Sequence, residues 1–207
     1  MTQGLFLTFE GIDGSGKSTQ ARRLADRLEA GGHDVVLTRE PGGSDGAELI
    51  RRLLVEGDPD RWSAETEILL FTAARRDHLE KTIEPALAQG KIVISDRFAD
   101  STRVYQGAAR GALREMVDAL HDLMIAREPD LTFVIDMDPG EALRRGLARA
   151  TGEDRFEDMG EGFQHRLQAG FLALAEDAPS RCQLIDGNRA EDVVAADVLS
   201  RATAHLT

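Results

Sequence analysis

One stretch constrains this chain more than any other: GIDGSGKST, Gly11 to Thr19, directly behind the apolar run LFLTFE. Gly11 to Ser18 fits G-x-x-x-x-G-K-[ST] in full, with a strand pattern before it and an amphipathic helix pattern after it. Glycines let the backbone curl so that successive N–H groups converge on phosphate oxygens. The start of the following helix adds the positive end of its dipole. Lys17 brings a point charge to the β- and γ-phosphates, and the Ser18 hydroxyl suits Mg²⁺. Gly11, Ile12, Asp13, Gly14, Ser15, Gly16, Lys17, Ser18 and Thr19 are therefore the candidate site for the polyphosphate of a nucleoside triphosphate.

Such a loop needs a strand behind it and a helix ahead, and the pattern repeats along the chain. Five β-rich runs stand out: Leu5–Glu10, Asp34–Arg39, Lys91–Asp96, Leu131–Asp136 and Cys182–Asp186. The third and fourth are nearly continuous apolar runs, which suits strands covered on both faces of a parallel sheet. Helical spacing predicts helices over Ser18–Ala30, Ser63–Ala88 (with Pro85 as a kink or break), Gly111–Arg127, Pro139–Ala150, Glu161–Asp177 and Ala190–Leu206. Strands alternating with helices read as a doubly wound α/β fold. No repeat or linker interrupts it, so residues 1–207 are expected to form one domain. The polar, glycine-bearing Thr151–Gly162 reads either as a plain surface loop or as a lid over a ligand.

Composition removes several classes of function. The formal net charge of -12 argues against a nucleic-acid polymer as partner. A small anion stays possible, because a local cluster of arginines overrides a global field. A single cysteine, Cys182, rules out an intramolecular disulfide and a CxxC motif, which fits a reducing, cytoplasmic setting. The opening MTQGLFLTFEG lacks a basic n-region and a long apolar run, so no signal peptide is expected. No stretch approaches ~20 consecutive apolar residues, so no membrane partner is expected.

Ligands of open α/β sheets gather beyond the carboxyl ends of the strands. There this sequence places Arg39-Glu40-Pro41-Gly42-Gly43, then Asp96-Arg97-Phe98 with Ser101 to Gly107, then Asp136, then Asp186 to Arg189. Arginine binds phosphate through a planar fork. Asp96 ends an apolar strand, where a Walker B carboxylate belongs. Phe71 and Arg75 are four apart on a predicted helix and share a face. On spacing alone, Phe71 belongs to the core and Arg75 to solvent. The absence of an N-K-x-D base reader in CQLIDGNRAED argues against a GTPase switch. A kinase with a separate acceptor site, of this or another nucleotide or nucleoside, remains, as does a nucleotide-binding regulator.

Together, FEGIDGSGKSTQ, TREPGG, ILLFTAARRDH, ISDRF with ST and YQG, PDLTFVID, DRFE and the closing IDG resemble the thymidylate kinase family of P-loop nucleoside monophosphate kinases over nearly the whole chain. The resemblance implies a P-loop NTPase-type α/β fold: a parallel five-stranded sheet flanked by helices, with a short lid at about 149–162. It implies transfer of the γ-phosphate of ATP to dTMP, with Mg²⁺ held through Ser18 and near Asp96, in a cytoplasmic homodimer. It gives Asp13 a place near the sugar 3′-hydroxyl and the acceptor phosphate, and puts Arg39, Glu40 and Arg97 around that phosphate and Mg²⁺. Phe71 resembles the residue that stacks on thymine, Arg75 the one that hydrogen-bonds its edge, and Thr102 and Gln106 base-reading positions. Tyr105 resembles the aromatic that crowds the sugar C2′, and Arg145 a residue packed on adenine. Gly14 stands where one branch of the family carries a P-loop arginine, and Arg149 and Arg155 resemble the lid arginines of the other, bacterial-type branch.

The sequence departs from the family at Ala108 and Ala109, where relatives often have glycines, and at Arg103, where a neutral polar residue is common. These positions are expected to bear on the rim of the acceptor pocket. His33, His78, His121, His165 and His205 lack ligand spacing and read as ordinary surface or helix residues.

Overall fold

The structure, a computed structural model, describes residues 4–57, 61–109, 113–147 and 161–206. The five strands are β1 (Leu5–Glu10), β2 (Val35–Arg39), β3 (Ile92–Asp96), β4 (Leu131–Asp136) and β5 (Cys182–Asp186). All pairings are parallel, in the order β2-β3-β1-β4-β5. Each strand matches its predicted run to within one residue. The helices are α1 (Lys17–Ala30), α2 (Asp45–Val55), α3 (Ala64–His78), α4 (Glu84–Ala88), α5 (Ala99–Thr102), α6 (Arg114–Met124), α7 (Pro139–Leu147), α8 (Glu161–Asp177) and α9 (Glu191–Thr203).

The alternation of strand side chains explains the layers. Leu7 and Phe9 of β1 point to one face and join Leu24 and Leu28 of α1 and Val194 and Val198 of α9 in a buried cluster. Phe6 points to the other face and joins Leu79, Ile83, Val93, Phe98 and Ile125. A third cluster packs Phe163, Leu167 and Phe171 of α8 against Val134 of β4 and Tyr105. Phe6, Phe9, Phe133 and Phe163 are essentially fully buried. Each such side chain contributes about 1.5–3 kcal/mol of transfer free energy, before the entropy of ordering is set against it.

Strand register sets the functional edge. Asp96 of β3 lies level with Phe9 of β1 and with Arg39 of β2. The loops carrying GIDGSGKS, REPGG and DRF therefore leave the sheet side by side at its carboxyl end.

Three local features depart from the pattern reading. The run over 64–88 is interrupted just ahead of Pro85: α3 and α4 are joined by a π-helical turn, Leu79–Ile83. Glu84 N–H there reaches back to Leu79 O, a wider ring that accommodates a proline in the first turn of α4. Helix α2 was not anticipated. Its flanks read as loop, and it is held by a neighbour distant in sequence: Asp77 of α3 accepts from the Ser44 hydroxyl at 2.6 Å and from Ala47 N–H at 3.2 Å. The segment 99–109, for which no element was predicted, is α5 followed by the π-helical turn Arg103–Ala109.

Candidate active site

A cavity of about 340 Å³ opens at the carboxyl edge of β1, β2 and β3. Its walls include Asp13, Gly14, Gly16, Lys17 and Ser18 from the loop after β1, Arg39 and Glu40 after β2, and Asp96 and Arg97 after β3. Phe71 and Arg75 of α3 and Thr102, Tyr105 and Gln106 complete it. The ends of β1, β2 and β3 thus meet as the strand-end reading anticipated, joined by α3, while Asp136 and residues 186–189 beyond β4 and β5 do not line this cavity.

The loop after β1 is built for an anion. Helix α1 starts behind Gly16 with no side-chain cap and no acidic residue in its first turn, so its N-terminal N–H groups face the cavity end of the helix. Gly14 adopts φ 83°, and a Cβ there would lie 1.9 Å from the Ala142 carbonyl oxygen of α7. No side chain fits at this position, which accords with a family branch lacking the P-loop arginine. Lys17 is buried, donates to Ile12 O at 2.7 Å and lies 3.9 Å from Asp13. Burial, and then the neighbouring Arg97, pull its ammonium down to about 8, while Asp13 opposes them. A phosphate beside it would favour the charged form.

Arg97 is the pivot of the site. It sits at φ 72°, a region costly for a residue with a Cβ, and three bonds hold it there. Its N–H donates to Phe9 O at 2.9 Å, its carbonyl accepts from Ser95 at 2.7 Å, and the next N–H, of Phe98, donates to Glu10 at 2.8 Å. The guanidinium then bonds Asp13, Ser101 at 2.8 Å and the Tyr105 hydroxyl at 3.0 Å. Tyr105 donates in turn to Asp13 at 2.8 Å. Burial alone would raise the Asp13 carboxyl, but Arg97, Lys17 and the Tyr105 bond outweigh it and hold the group at about 2. Asp13 is thus a fixed anion at the mouth of the phosphate loop.

On the far wall, Phe71 is half-buried and lines the cavity rather than the core. Arg75 is only 4% exposed, which corrects the solvent-facing placement given by spacing alone. It donates to Glu40 at 2.8 Å, to Phe98 O at 3.1 Å and to Thr102 at 3.0 Å. Partners remote in sequence repay the cost of burying it. Gln106 is buried and donates to Glu67 at 3.1 Å. Arg39 is half-exposed and forked onto Glu48 at 3.0 and 3.2 Å.

A family model described as Thymidylate kinase matches residues 9–198. The chain belongs to the thymidylate kinase family. A thymidylate kinase of Dinoroseobacter shibae is 72% identical over all of this chain and 99% of its own. One of Ruegeria pomeroyi is 70% identical over 98% of this chain and 96% of its own. A crystal structure of thymidylate kinase from Ehrlichia chaffeensis superposes with a TM-score of 0.78 at 40% identity, covering 97% of this chain and 99% of that one. The five-stranded parallel P-loop fold is therefore the family's own.

Not every residue singled out for a thymidylate kinase site falls in the cavity. Arg145, on α7, is half-exposed, pairs with Glu141 at 2.7 Å and is not among the residues lining the cavity. Glu40 does line the cavity, but its two carboxylate oxygens are bonded to Arg75 and His78. Arg149, Arg155 and residues 149–160 of the lid lie outside the described residues, while Glu161 and Gly162 open α8. Arg103 is buried and bonds Asp100, Asp118 and Glu128, so it braces the fold instead of rimming the acceptor pocket. His78 and His121 are buried, each beside a carboxylate that spacing does not reveal, Glu40 and Glu128, while His33, His165 and His205 are exposed.

Three contributors were missed. Glu10 is buried at the end of β1 and accepts from Phe98 N–H, Ser101 N–H and the Ser101 hydroxyl, so it anchors the loop bearing Arg97. Its place as an acidic residue closing an apolar strand was the available signal. Arg51 lines the cavity from α2, the helix the pattern did not show. Ser101 links Glu10 to Arg97.

Proposed function

We propose that this chain transfers the γ-phosphoryl group of ATP to dTMP, giving dTDP and ADP, within dTTP biosynthesis. One observation carries the reading: a phosphate loop and a wall of Phe71, Arg75, Thr102 and Gln106 face the same cavity, with the Asp13–Arg97–Tyr105 cluster between them. Relatives named thymidylate kinase at 72% and 70% identity support dTMP as the substrate.

On this reading Gly11 to Thr19 hold the ATP phosphates, and Arg145 packs near the adenine. Phe71 stacks on thymine while Arg75, Thr102 and Gln106 read its edge. The Tyr105 ring, fixed against Phe163 and Phe171, restricts space at the sugar C2′. Arg97, together with Arg39, orients the acceptor phosphate. An oxygen of that phosphate attacks the γ-phosphorus, and the bond to the β–γ bridging oxygen breaks, leaving the electron pair on ADP. A phosphate dianion needs no strong general base, so positioning and charge stabilisation by Lys17 and Arg97 do most of the catalysis. Arg149 and Arg155 of the lid are assigned to the transferring phosphoryl group from the family resemblance.

The donor set fits Mg²⁺. Asp96 Oδ1 is buried with no hydrogen-bond partner among the described residues, and the Ser18 hydroxyl lines the same cavity. Mg²⁺ takes few protein ligands and completes its shell with water and phosphate oxygens, so two such donors suffice. Bound with ATP, Mg²⁺ supplies charge neutralisation at the phosphate oxygens.

A homodimer is supported by exposed Leu49 and Leu53 on α2, Leu69 on α3 and Met116, Leu123 and Met124 on α6, helices that pack together with α3 in the middle. No helix among the described residues is long and apolar enough to cross a membrane. The single cysteine, Cys182, fits a reducing compartment, and on that ground we place the enzyme in the cytoplasm. Competition among dTMP, dUMP, dCMP, dGMP and thymidine in an ADP-release assay tests the acceptor. Preference for dTMP supports the reading, and equal use of another monophosphate or of thymidine replaces it with a different kinase.

A further inference from the structure

We propose that His78 is a positioning residue for base recognition: with Thr38 it fixes the Glu40 carboxylate that orients Arg75 in the acceptor cavity. The inference rests on the reading of Arg75 as a base-reading group.

His78 is fully buried at the end of α3, one turn after Arg75, so both face the end of β2. Its Nδ1 lies 3.0 Å from Glu40 Oε1, and its Nε2 lies 2.8 Å from Thr38 Oγ1. A carboxylate accepts, so Nδ1–H donates to Glu40, which leaves Nε2 to pair with the Thr38 hydroxyl. The second oxygen, Glu40 Oε2, accepts from Arg75 Nε at 2.8 Å. Each carboxylate oxygen therefore has its own donor on a different side, and the carboxylate plane is set at both ends.

That plane sets the guanidinium. With Nε committed to Glu40, the terminal nitrogen meets Thr102 at 3.0 Å and Phe98 O at 3.1 Å, and the guanidinium carbon lies 5.2 Å from the centre of the Phe98 ring. The motif around β2 is explained by the same chain. Gly43 has φ 85°, and a Cβ there would stand 2.3 Å from His78 Nε2 and 2.4 Å from Thr38 Oγ1. Thr38, Glu40 and Gly43 of TREPGG thus converge on one imidazole, and the chain they form ends at a cavity wall. Burying charged and polar groups in this way is costly unless every partner is present. What it provides is an arginine held in place before the base arrives, which lowers the ordering cost of binding.

The test uses full-length His78→Ala, His78→Asn, Thr38→Val and Arg75→Ala, assayed with Mg-ATP and dTMP, with urea midpoints measured in parallel. His78→Ala and Thr38→Val should raise KM for dTMP about tenfold, with KM for ATP and kcat within about twofold of wild type. His78→Asn, whose amide N–H replaces Nδ1–H, should recover most of that loss. Unchanged KM for dTMP in His78→Ala and Thr38→Val, beside a raised KM in Arg75→Ala, overturns the proposal. So does a parallel loss of both KM values and kcat that tracks only the folded fraction. If His78→Ala does not fold, Thr38→Val decides alone: a raised KM for dTMP supports the proposal, and an unchanged one beside a raised KM in Arg75→Ala overturns it. An unchanged KM for dTMP in Arg75→Ala overturns the underlying reading of Arg75, and the proposal with it.

Discussion

The Tyr105 hydroxyl donates to the Asp13 carboxylate at 2.8 Å, joining the phosphate loop to a π-helical turn 92 residues away in sequence. The same hydroxyl accepts from Arg97 at 3.0 Å. Removing it strips one partner from each member of the ion pair while sparing the ring, which packs against Phe163 and Phe171. Tyr105→Phe should therefore fold normally and lose at least about tenfold in kcat/KM for dTMP, since both hydrogen bonds of the hydroxyl to charged groups are removed. Steady-state kinetics beside a urea titration check this, and unchanged kinetics would remove the hydroxyl from the mechanism.

Glu10 gives stability a pH dependence of unusual sign for a carboxylate. Burial, then the nearby Asp100, pushes its carboxyl up to about 7 from an ordinary 4.5. The folded chain holds this proton more tightly than the unfolded chain. Its contribution to stability is full below 4.5 and is lost as pH rises through 7. Glu10→Gln cannot ionise, so its stability relative to wild type should improve by about 2 kcal/mol between about pH 5 and about pH 8. Urea midpoints at the two pH values read the difference directly, and a constant difference contradicts the assignment.

Gly14 tests why this chain has no arginine in its phosphate loop. At φ 83°, with the Ala142 carbonyl 1.9 Å from the ideal Cβ position, even a methyl group is refused. Gly14→Ala should destabilise the fold by about 1–3 kcal/mol and weaken ATP binding, because α7 must move. Thermal unfolding and ATP titration measure both, and a neutral result would mean that the loop relaxes freely.

Arg103 should behave as a brace. It bonds Asp100 at 2.8 Å and Asp118 at 2.9 Å and also forks onto Glu128, with only 6% of its surface exposed. Arg103→Ala leaves buried Asp100 dependent on Arg181 and should cost about 3 kcal/mol of stability. KM for dTMP measured on the folded fraction should stay within about twofold. A large rise in that KM would return Arg103 to the acceptor rim.

The strands were legible because a parallel sheet buries both faces, and Ile92–Asp96 and Leu131–Asp136 carry that as near-continuous apolar runs. The phosphate loop was legible because its spacing encodes its geometry. Helix α2 was not, since what holds Ser44 and Ala47 is Asp77, some thirty residues on. The burial of Arg75 and His78 was equally hidden: spacing reports which helix face a residue takes, whereas Glu40, Thr38 and Thr102 arrive by the tertiary fold. The interruption near Pro85 was legible, but its form, a π-helical turn, was not, because spacing carries no signal for a widened turn.

The most direct test of the account is ³¹P NMR of the enzyme with Mg-ATP, recorded with and without dTMP. The account predicts that ATP is consumed only when dTMP is present, with dTDP and ADP appearing in equal amounts. Loss of ATP at the same rate without dTMP, with inorganic phosphate as product, would contradict it.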